Sequence, residues 1–357
     1  MEARHGELRE WLTEMPKAEL HLHLDGSLRA ETAVELARTR PLERDDLPGD
    51  VEAMRARLIA PARCRDQAEL LDAFELPTAL LQDTEALERA ASELVTDVAA
   101  DGTRYAEIRW APSLHTVRGL SLADGIAAVA RGAGRTAARE GVVVRLIAVA
   151  LRTQSNEVAD EVASASLAFL RDGLTGFDIA GLERDAPDPT VFESAFDIAR
   201  AGGLGITCHA GEWGGAAQVR DALAVRPWRI AHGAPAADDP ELMAELRARE
   251  VTLDICPTSN IQIGLGSADP NDPLPRLQRA GVPVTISTDD RTVSDTTLND
   301  ELELAVTRLG LTPDEVAACM RQAYRVAFLH HDEDLRTGLA DRLEQWLAAN
   351  PAPAPCS

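Results

Sequence analysis

One short segment near the start of the chain alternates between polar residues and leucine: Glu19-Leu20-His21-Leu22-His23-Leu24-Asp25-Gly26. Alternate residues of a strand share a face, so the leucines point one way and the polar side chains point the other. Two histidines spaced in this way can reach one metal ion, although a hydrogen-bonded histidine pair has the same pattern. Burying several polar side chains together is costly without a partner or an ion, which favours the metal site.

Apolar or alternating runs recur along the rest of the chain, and amphipathic helical sequence separates most of them. Alternation of strands and helices predicts parallel strands joined by right-handed crossovers. Eight such units in 357 residues favour an α/β fold of the (β/α)8 TIM barrel type. The predicted strands are 18–24, 104–110, 142–150, 176–180, 205–209, 229–231, 252–256 and 284–288.

The interval between the first two predicted strands, 29–98, is too long for one crossover and predicts extra helices inserted over one end of the barrel. In the last part of this interval, Asp83 or Thr84 can cap the start of a helix. The sequence Thr312-Pro313-Asp314-Glu315 has the pattern of a capping box and predicts a helix to about residue 329. No linker divides the chain, so we predict one domain over 1–350 and a Pro/Ala-rich tail over 351–357.

Composition limits the possible partners of the protein. Lys and Arg number 36 against 59 Asp and Glu, which gives a net charge of −23 at pH 7. Such a surface repels nucleic acid and anionic membranes. No apolar run approaches the roughly 18–20 residues of a membrane helix. We therefore expect a small-molecule substrate, no nucleic acid and no membrane, and nothing in the sequence indicates an oligomer.

The cysteines and the first residues predict a cellular compartment. The five cysteines are odd in number, are scattered and form no CxxC pair. This pattern argues for reduced thiols rather than a disulfide framework or a cysteine zinc site. The first residues are charged and lack the apolar block of a signal peptide. A cytoplasmic location is expected.

Three later strands also end in polar motifs: His209-Ala-Gly-Glu212, Ala231-His232-Gly233 and Ser287-Thr288-Asp289-Asp290. Singly, each motif has a structural explanation as a loop glutamate, a satisfied histidine or a turn. Together with the first motif they end strands one, five, six and eight, on the face where barrel enzymes build active sites. Three imidazoles and one carboxylate with a position left for water describe a catalytic zinc site. A desolvated carboxyl group beside it can act as a general acid.

The chain contains a single lysine, Lys17, at the start of the first predicted strand. One large group of barrel hydrolases holds two metal ions bridged by a carboxylated lysine at the carboxyl end of a strand. Lys17 lies at the opposite end, so no lysine can form such a bridge. The sequence therefore favours a site for one metal ion.

The ordered motifs resemble the adenosine deaminase family of metal-dependent hydrolases, from about residue 16 to residue 329. The motifs that carry the resemblance are PKAELHLHLDG at 16–26, HAGE at 209–212, AHG at 231–233, CPTSN at 256–260 and STDD at 287–290. The resemblance implies that one Zn²⁺ is bound by His21, His23, His209 and Asp289.

The resemblance also implies roles for other positions. Glu212 would protonate N1 of the purine, and His232 would orient and deprotonate the zinc-bound water. Asp290 would hydrogen-bond N7, Asp25 would contact the ribose, and the backbone N–H of Gly181 would contact N3. Leu70 and Phe74 fall roughly where the family places an apolar lid over the sugar.

The implied reaction is zinc-dependent hydrolytic deamination of adenosine or 2′-deoxyadenosine to the inosine nucleoside and ammonia. Asp25 favours a nucleoside, since relatives specific for adenine tend to carry Glu there. Alternative substrates are adenine and a 5′-modified adenosine such as aminodeoxyfutalosine. A purine-binding protein without catalysis and a metal-dependent ester or lactone hydrolase are further alternatives. Trp213, Arg291 and the Leu182 that follows Gly181 depart from the family pattern near the mouth of the site.

Overall fold

The protein is described here by a computed structural model covering residues 2–40, 42, 47–184 and 188–353. Eight parallel strands form one sheet in the order in which they occur in the chain. The strands are β1 (Lys17–His23), β2 (Thr103–Trp110), β3 (Val143–Leu151), β4 (Leu174–Ala180), β5 (Gly205–Ala210), β6 (Arg229–His232), β7 (Thr252–Ile255) and β8 (Val284–Ile286).

Helices surround the sheet and connect its strands. Within the described residues the α-helices are α1 (Glu2–Glu14), α2 (Ala30–Thr39), α3 (Val51–Leu58), α4 (Gln67–Leu71), α5 (Glu75–Leu80), α6 (Thr84–Ala100), α7 (Leu122–Glu140), α8 (Asn156–Ser166), α9 (Glu193–Ala201), α10 (Gly215–Ala222), α11 (Pro240–Ala248), α12 (Pro257–Gln262), α13 (Pro273–Arg279), α14 (Leu298–Thr307), α15 (Pro313–Val326) and α16 (Glu333–Ala349). No helix of this part of the chain is both long enough and apolar enough to span a bilayer.

The (β/α)8 barrel and the inserted helices are confirmed. Each predicted strand overlaps an observed one, and α2 to α5 occupy the long interval before α6. Asp83 caps α6 by accepting a hydrogen bond from the N–H of Ala86, and Thr312 opens α15 with a capping box. The observed ends differ from the predicted ones by up to three residues: α15 stops at Val326 instead of about 329, and β8 stops at Ile286 instead of 288.

The first strand divides its side chains as its sequence predicts. Leu20 and Leu22 are fully buried, and Leu24 is 1% exposed, in the apolar core between the barrel and its helices. His21 and His23 face the barrel end described below. β1 changes its register against β2 between Glu19 and Leu22, so the strand is irregular where its polar face begins.

The described cysteines are consistent with the predicted free thiols. Cys64, Cys208, Cys256 and Cys319 are buried and unpaired. Cys356 lies outside the described residues, as does most of the predicted tail.

Lys17 lies at the amino end of β1, away from the predicted metal ligands. Its side chain caps the carboxyl end of α1. The buried ammonium donates to the carbonyl oxygens of Leu12, Thr13 and Met15 at 2.7, 2.9 and 2.9 Å. The last carbonyl groups of a helix have no partner within the helix, so Lys17 satisfies groups that would otherwise be buried and unpaired.

Replacing Lys17 with methionine is expected to lower the free energy of unfolding by about 2–3 kcal/mol, because three carbonyl groups, two of them in buried hydrogen bonds, lose their donor. Denaturant unfolding of the variant and the wild type measures this change. Since Lys17 is remote from the site, kcat should be unchanged. An unaltered unfolding midpoint would contradict the capping role.

Candidate metal centre and active site

The carboxyl ends of the strands surround one end of a cavity of about 560 Å³. The predicted site residues that line it are His23, Asp25, Gly181, His209, Glu212, Asp289 and Asp290. The other two predicted residues, His21 and His232, are fully buried against Asp289. The barrel thus brings together in space residues that lie up to 269 positions apart in sequence (21 to 290).

Three imidazole nitrogens and one carboxylate oxygen converge at the base of the cavity. Nε2 of His23 lies 3.3 Å from Nε2 of His21 and 3.2 Å from Nε2 of His209. Oδ1 of Asp289 lies 2.9 Å from Nε2 of His21 and 3.3 Å from Nε2 of His23. The atoms belong to the four residues that the sequence predicts as metal ligands.

This donor set fits a single tetrahedral metal ion. Zn–N distances of about 2.0–2.1 Å place adjacent ligand atoms of a tetrahedron about 3.3 Å apart. Burial lowers the pKa of His23 to about 3 and holds the pKa of His21 well below its usual range. Both rings are therefore neutral at pH 7, which is the form that binds metals. A cation between the converging nitrogens would relieve the crowding of their lone pairs.

His232 lies beside this set but faces a different direction. Ligand atoms of His21, His209, His232 and Asp289 lie within 4.8 Å of one another. Nε2 of His232, however, is 3.7 Å from Oδ2 of Asp289 and 3.5 Å from Oε1 of Glu212. Nε2 of His232 therefore lies between the Asp289 carboxylate and Glu212. It is near Oδ2 of Asp289, whereas His21 and His23 approach Oδ1.

The partner of His232 determines which of its nitrogens carries the proton. Nδ1 lies 3.1 Å from the amide oxygen Oδ1 of Asn260, which can only accept a hydrogen bond. Nδ1 is therefore protonated in the neutral ring, and Nε2 presents a lone pair. Nε2 is buried without a hydrogen-bond partner, as expected for a base that acts on a bound group.

Two of the site residues have an unusual backbone conformation. His232 and Asp289 have φ angles of 66° and 64°, in the left-handed region that side chains with a Cβ rarely occupy. His232 is the last residue of β6, and Asp289 lies three residues after the end of β8. Such strain is concentrated at functional sites in proteins.

Three residues that support the metal set had no role predicted from the sequence. Oδ2 of Asp178 on β4 lies 2.8 Å from Nδ1 of His209, and Arg109 on β2 donates to the same carboxylate at 2.8 Å. Although burial opposes it, the neighbouring His209 and the Arg109 guanidinium hold the pKa of Asp178 well below its usual range. Ser259 donates to Oδ2 of Asp289 at 2.8 Å. Carboxylates and hydroxyls in these positions orient metal ligands.

Two supporting contacts, those of Ser259 with Asp289 and of Asn260 with His232, come from the motif Cys256-Pro257-Thr258-Ser259-Asn260, which the sequence had singled out. Its residues begin α12 directly after β7, which places Ser259 and Asn260 under Asp289 and His232. Asp178 had no comparable signal, because its contact with His209 depends on the neighbouring positions of β4 and β5.

Three carboxyl groups of the cavity differ in their protonation. Burial, with Glu183 and Asp289 nearby, raises the pKa of Glu212 to about 8. Burial and the charge of Asp289 also raise the pKa of Asp290 well above its usual range. Burial raises the pKa of Asp25 to about 6. At pH 7, Glu212 therefore holds a proton that it can donate, whereas Asp25 is mainly ionised and accepts.

The loop that carries Glu212 is held by a buried carboxylate that the sequence did not single out. Oε2 of Glu183 accepts hydrogen bonds from the N–H groups of Trp213 and Gly214, both at 2.8 Å. The N–H of Glu183 donates to Oε1 of Gln67 at 2.7 Å. Gln67 begins α4, so the inserted helices are connected directly to the loop of the general acid.

Gly26 follows Asp25 because the chain passes very close to Asp290. A Cβ atom at position 26 would lie 1.7 Å from Oδ1 and 2.5 Å from Cγ of Asp290. Any other residue at this position would displace the Asp290 carboxyl group from the cavity.

The inserted helices form the apolar wall opposite the ligands. Leu70 and Phe74, predicted as a lid, line the cavity. Trp213 packs with them against a small cluster that includes Ile263 and Val293. Arg291 does not line this cavity; it forms buried ion pairs beside the barrel.

A parallel eight-stranded barrel with three imidazoles, a carboxylate and a buried acid at its carboxyl end defines a metal-dependent hydrolase. The comparisons with known proteins agree with this class. The family model described as adenosine deaminase matches residues 16–346.

Individual relatives are similar over most of their length. The adenosine deaminase of Enterococcus faecalis is 37% identical over 320 residues, covering 90% of this chain and 94% of that protein. An adenine deaminase from Arthrobacter aurescens superposes with a TM-score of 0.83 at 29% identity, covering 94% and 99% of the two chains. An amidohydrolase from Burkholderia ambifaria with bound Zn gives 0.81 at 26%, covering 96% and 95%. The chain belongs to the adenosine deaminase family.

Proposed function

We propose that this protein catalyses the hydrolytic deamination of adenosine and 2′-deoxyadenosine, with one Zn²⁺ held by His21, His23, His209 and Asp289. The products are the corresponding inosine nucleoside and ammonia. The observation that carries the proposal is the arrangement at the cavity end: a metal donor set lies beside the protonated carboxyl group of Glu212 and a histidine with a free lone pair.

The metal and His232 would provide the nucleophile. Bound Zn²⁺ lowers the pKa of a water ligand to about 7 and so supplies hydroxide at neutral pH. Nε2 of His232 can accept the proton that the water loses, because Asn260 holds the proton of this ring on Nδ1. Nε2 of His232 lies 3.5 Å from Oε1 of Glu212, so the proposed base and the proposed acid are neighbours in the site.

Glu212 would activate the purine. Attack at C6 requires the ring to accept electron density, so N1 must gain a proton as the C–O bond forms. Glu212 holds a proton at pH 7 and lines the cavity, which suits it to this donation. As the tetrahedral adduct collapses, the C–N bond would break, the amino group would take the proton held by His232 and leave as ammonia, and the proton of the adduct's hydroxyl would return to Glu212.

The remaining residues would recognise the nucleoside. Asp290, whose pKa burial raises well above its usual range, lines the cavity and in its protonated form can donate to N7 of the purine. Asp25 is mainly ionised and can accept from a ribose hydroxyl. Gly181 has a φ of 90° and lines the cavity, where its backbone N–H can reach N3. Leu70 and Phe74 supply an apolar cover for the sugar.

Steady-state kinetics with adenosine, adenine and 5′-substituted adenosines tests the substrate. We expect kcat/KM for adenosine to exceed that for adenine by at least about 10-fold, since adenine leaves the buried Asp25 without its hydroxyl partner. The loss of absorbance that accompanies inosine formation measures the rate. A much larger kcat/KM for a 5′-substituted analogue or for adenine would reject adenosine as the preferred substrate.

A chelator distinguishes an enzyme from a protein that only binds purines. Removal of the metal should abolish turnover, and added Zn²⁺ should restore it. A zinc-replete protein that binds adenosine without forming inosine would support the purine-binding alternative instead.

A further inference from the structure

The junction between β1 and β8, called the seam below, closes the barrel. Between described residues, its backbone pairing is a single isolated bridge of Leu22 with Asp289. Three of the four proposed metal ligands lie on its two sides: His21 and His23 on β1, and Asp289 after β8. The distance between these ligands therefore depends on what holds the seam together.

Side chains replace the missing backbone pairs. Oγ of Ser287 accepts hydrogen bonds from the N–H groups of Leu20 and His21, at 3.3 and 3.2 Å. Oε1 of Glu19 accepts from the N–H and the hydroxyl of Thr288, at 3.2 and 2.6 Å. Glu19, Ser287 and Thr288 are fully buried, so water does not compete for these bonds. Because side chains rather than backbone pairs make these contacts, β8 ends at Ile286, although the predicted strand continues to 288.

Arg291 holds the Glu19 carboxylate in place. Its guanidinium donates to Oε2 of Glu19 at 2.8 Å and contacts Oδ2 of Asp101 at 2.8 Å. Arg291 is 9% exposed. A buried carboxylate needs a charged partner, and Arg291 supplies it from the loop that directly follows the two aspartates.

We propose that Glu19, Ser287, Thr288 and Arg291 form a clasp that sets the spacing of the metal ligands across the seam. These are positioning residues: they touch neither the cavity nor the ligand atoms, but they fix the backbone of His21 and of the residue before Asp289. The inference rests on the metal ligands of the proposed function. It gives a structural role to Arg291, the residue that departs from the family pattern after the two aspartates.

Two threonines of the same region provide a matched pair of variants. Thr288→Val removes the hydroxyl bond to Glu19 at 2.6 Å, and Thr285→Val removes a hydroxyl bond to the buried carboxylate of Asp254 at 2.7 Å. Both threonines are fully buried, but only Thr288 bonds across the seam. The rate at which each zinc-loaded protein releases Zn²⁺ to excess chelator is measured with a zinc indicator, beside denaturant unfolding of the metal-free proteins.

We expect Thr288→Val to release zinc about 10–100-fold faster than the wild type, the usual effect of losing a residue that orients metal ligands. Thr285→Val should release zinc at the wild-type rate, although both variants lose similar stability without metal. Equal release rates in both variants, whether changed or unchanged, would overturn the clasp. If Thr288→Val does not fold, Ser287→Ala is measured in its place. Release of zinc from Ser287→Ala at the wild-type rate would likewise overturn the clasp.

The proposed function is tested separately by the wild type. A wild-type protein that retains no zinc would contradict the metal site itself. A wild type that retains zinc and deaminates adenosine, with Thr288→Val releasing zinc no faster, would leave the proposed function intact and reject the clasp alone.

Discussion

Replacing His209 with asparagine is expected to remove the metal and to reduce kcat for deamination by at least about 10³-fold. His209 supplies one of the three converging nitrogens, and its Nε2 lies 3.2 Å from that of His23. Loss of a metal that contributes several kcal/mol to the transition state corresponds to a rate loss of this size.

A second buried histidine provides the control for this variant. His115 is 1% exposed and forms no hydrogen bond with any of the described site residues. Its Nδ1 lies 2.8 Å from the carbonyl oxygen of Leu81. His115→Asn should cost stability but keep the metal and kcat. Elemental analysis and steady-state kinetics of both variants measure the difference. Full zinc content in the His209 variant would show that this ring is not a ligand.

Replacing Glu212 with glutamine is expected to reduce kcat by about 10²–10⁴-fold, the usual contribution of one general acid or base. Glutamine keeps the size of the side chain but cannot transfer a proton to N1. Because Glu212 is not among the converging ligand atoms, metal content and unfolding free energy should stay close to those of the wild type.

Glu301→Gln is the matched control for the acid. Burial also raises the pKa of Glu301, to about 7, but this residue does not line the cavity. Its Oε2 accepts from the N–H of Thr258 and its Oε1 from the hydroxyl of Thr296. A glutamine oxygen can keep the first bond, and its NH2 group can donate to the Thr296 hydroxyl. If both glutamine variants retained wild-type kcat, Glu212 would not be the proton donor.

The pH profile provides a second readout for Glu212. Its pKa of about 8 without metal means that the donor form is lost as pH rises through that value. A divalent cation at the neighbouring site favours the ionised form and lowers this pKa. The alkaline decline of kcat/KM is therefore expected at or below pH 8, and it should be absent from the residual activity of Glu212→Gln.

The sequence was sufficient to predict the barrel and the set of residues at its mouth. Strict alternation in 19–25 assigns His21, His23 and Asp25 to one face, and that assignment depends only on strand geometry. Motifs at the carboxyl ends of other parallel strands must meet at one rim, so His209 and Asp289 follow from the topology. The single lysine is enough to argue for one metal ion.

Contacts between neighbouring strands could not be predicted in the same way. The partner of His209 is Asp178, and the partner of His232 is Asn260; both depend on strand register. The left-handed turn at Asp289 and the irregularity of β1 after Glu19 have no signal in residue types. The roles of individual site residues remain predictions from the sequence, which the variants above test.

Anomalous diffraction at the zinc edge, from crystals of the zinc-loaded protein, tests the central claim most directly. One peak is predicted per chain, within about 2.0–2.2 Å of Nε2 of His21, His23 and His209 and of a carboxylate oxygen of Asp289. No peak among these four side chains, or two peaks within the cavity, would contradict a mononuclear metal centre and the deamination chemistry built on it.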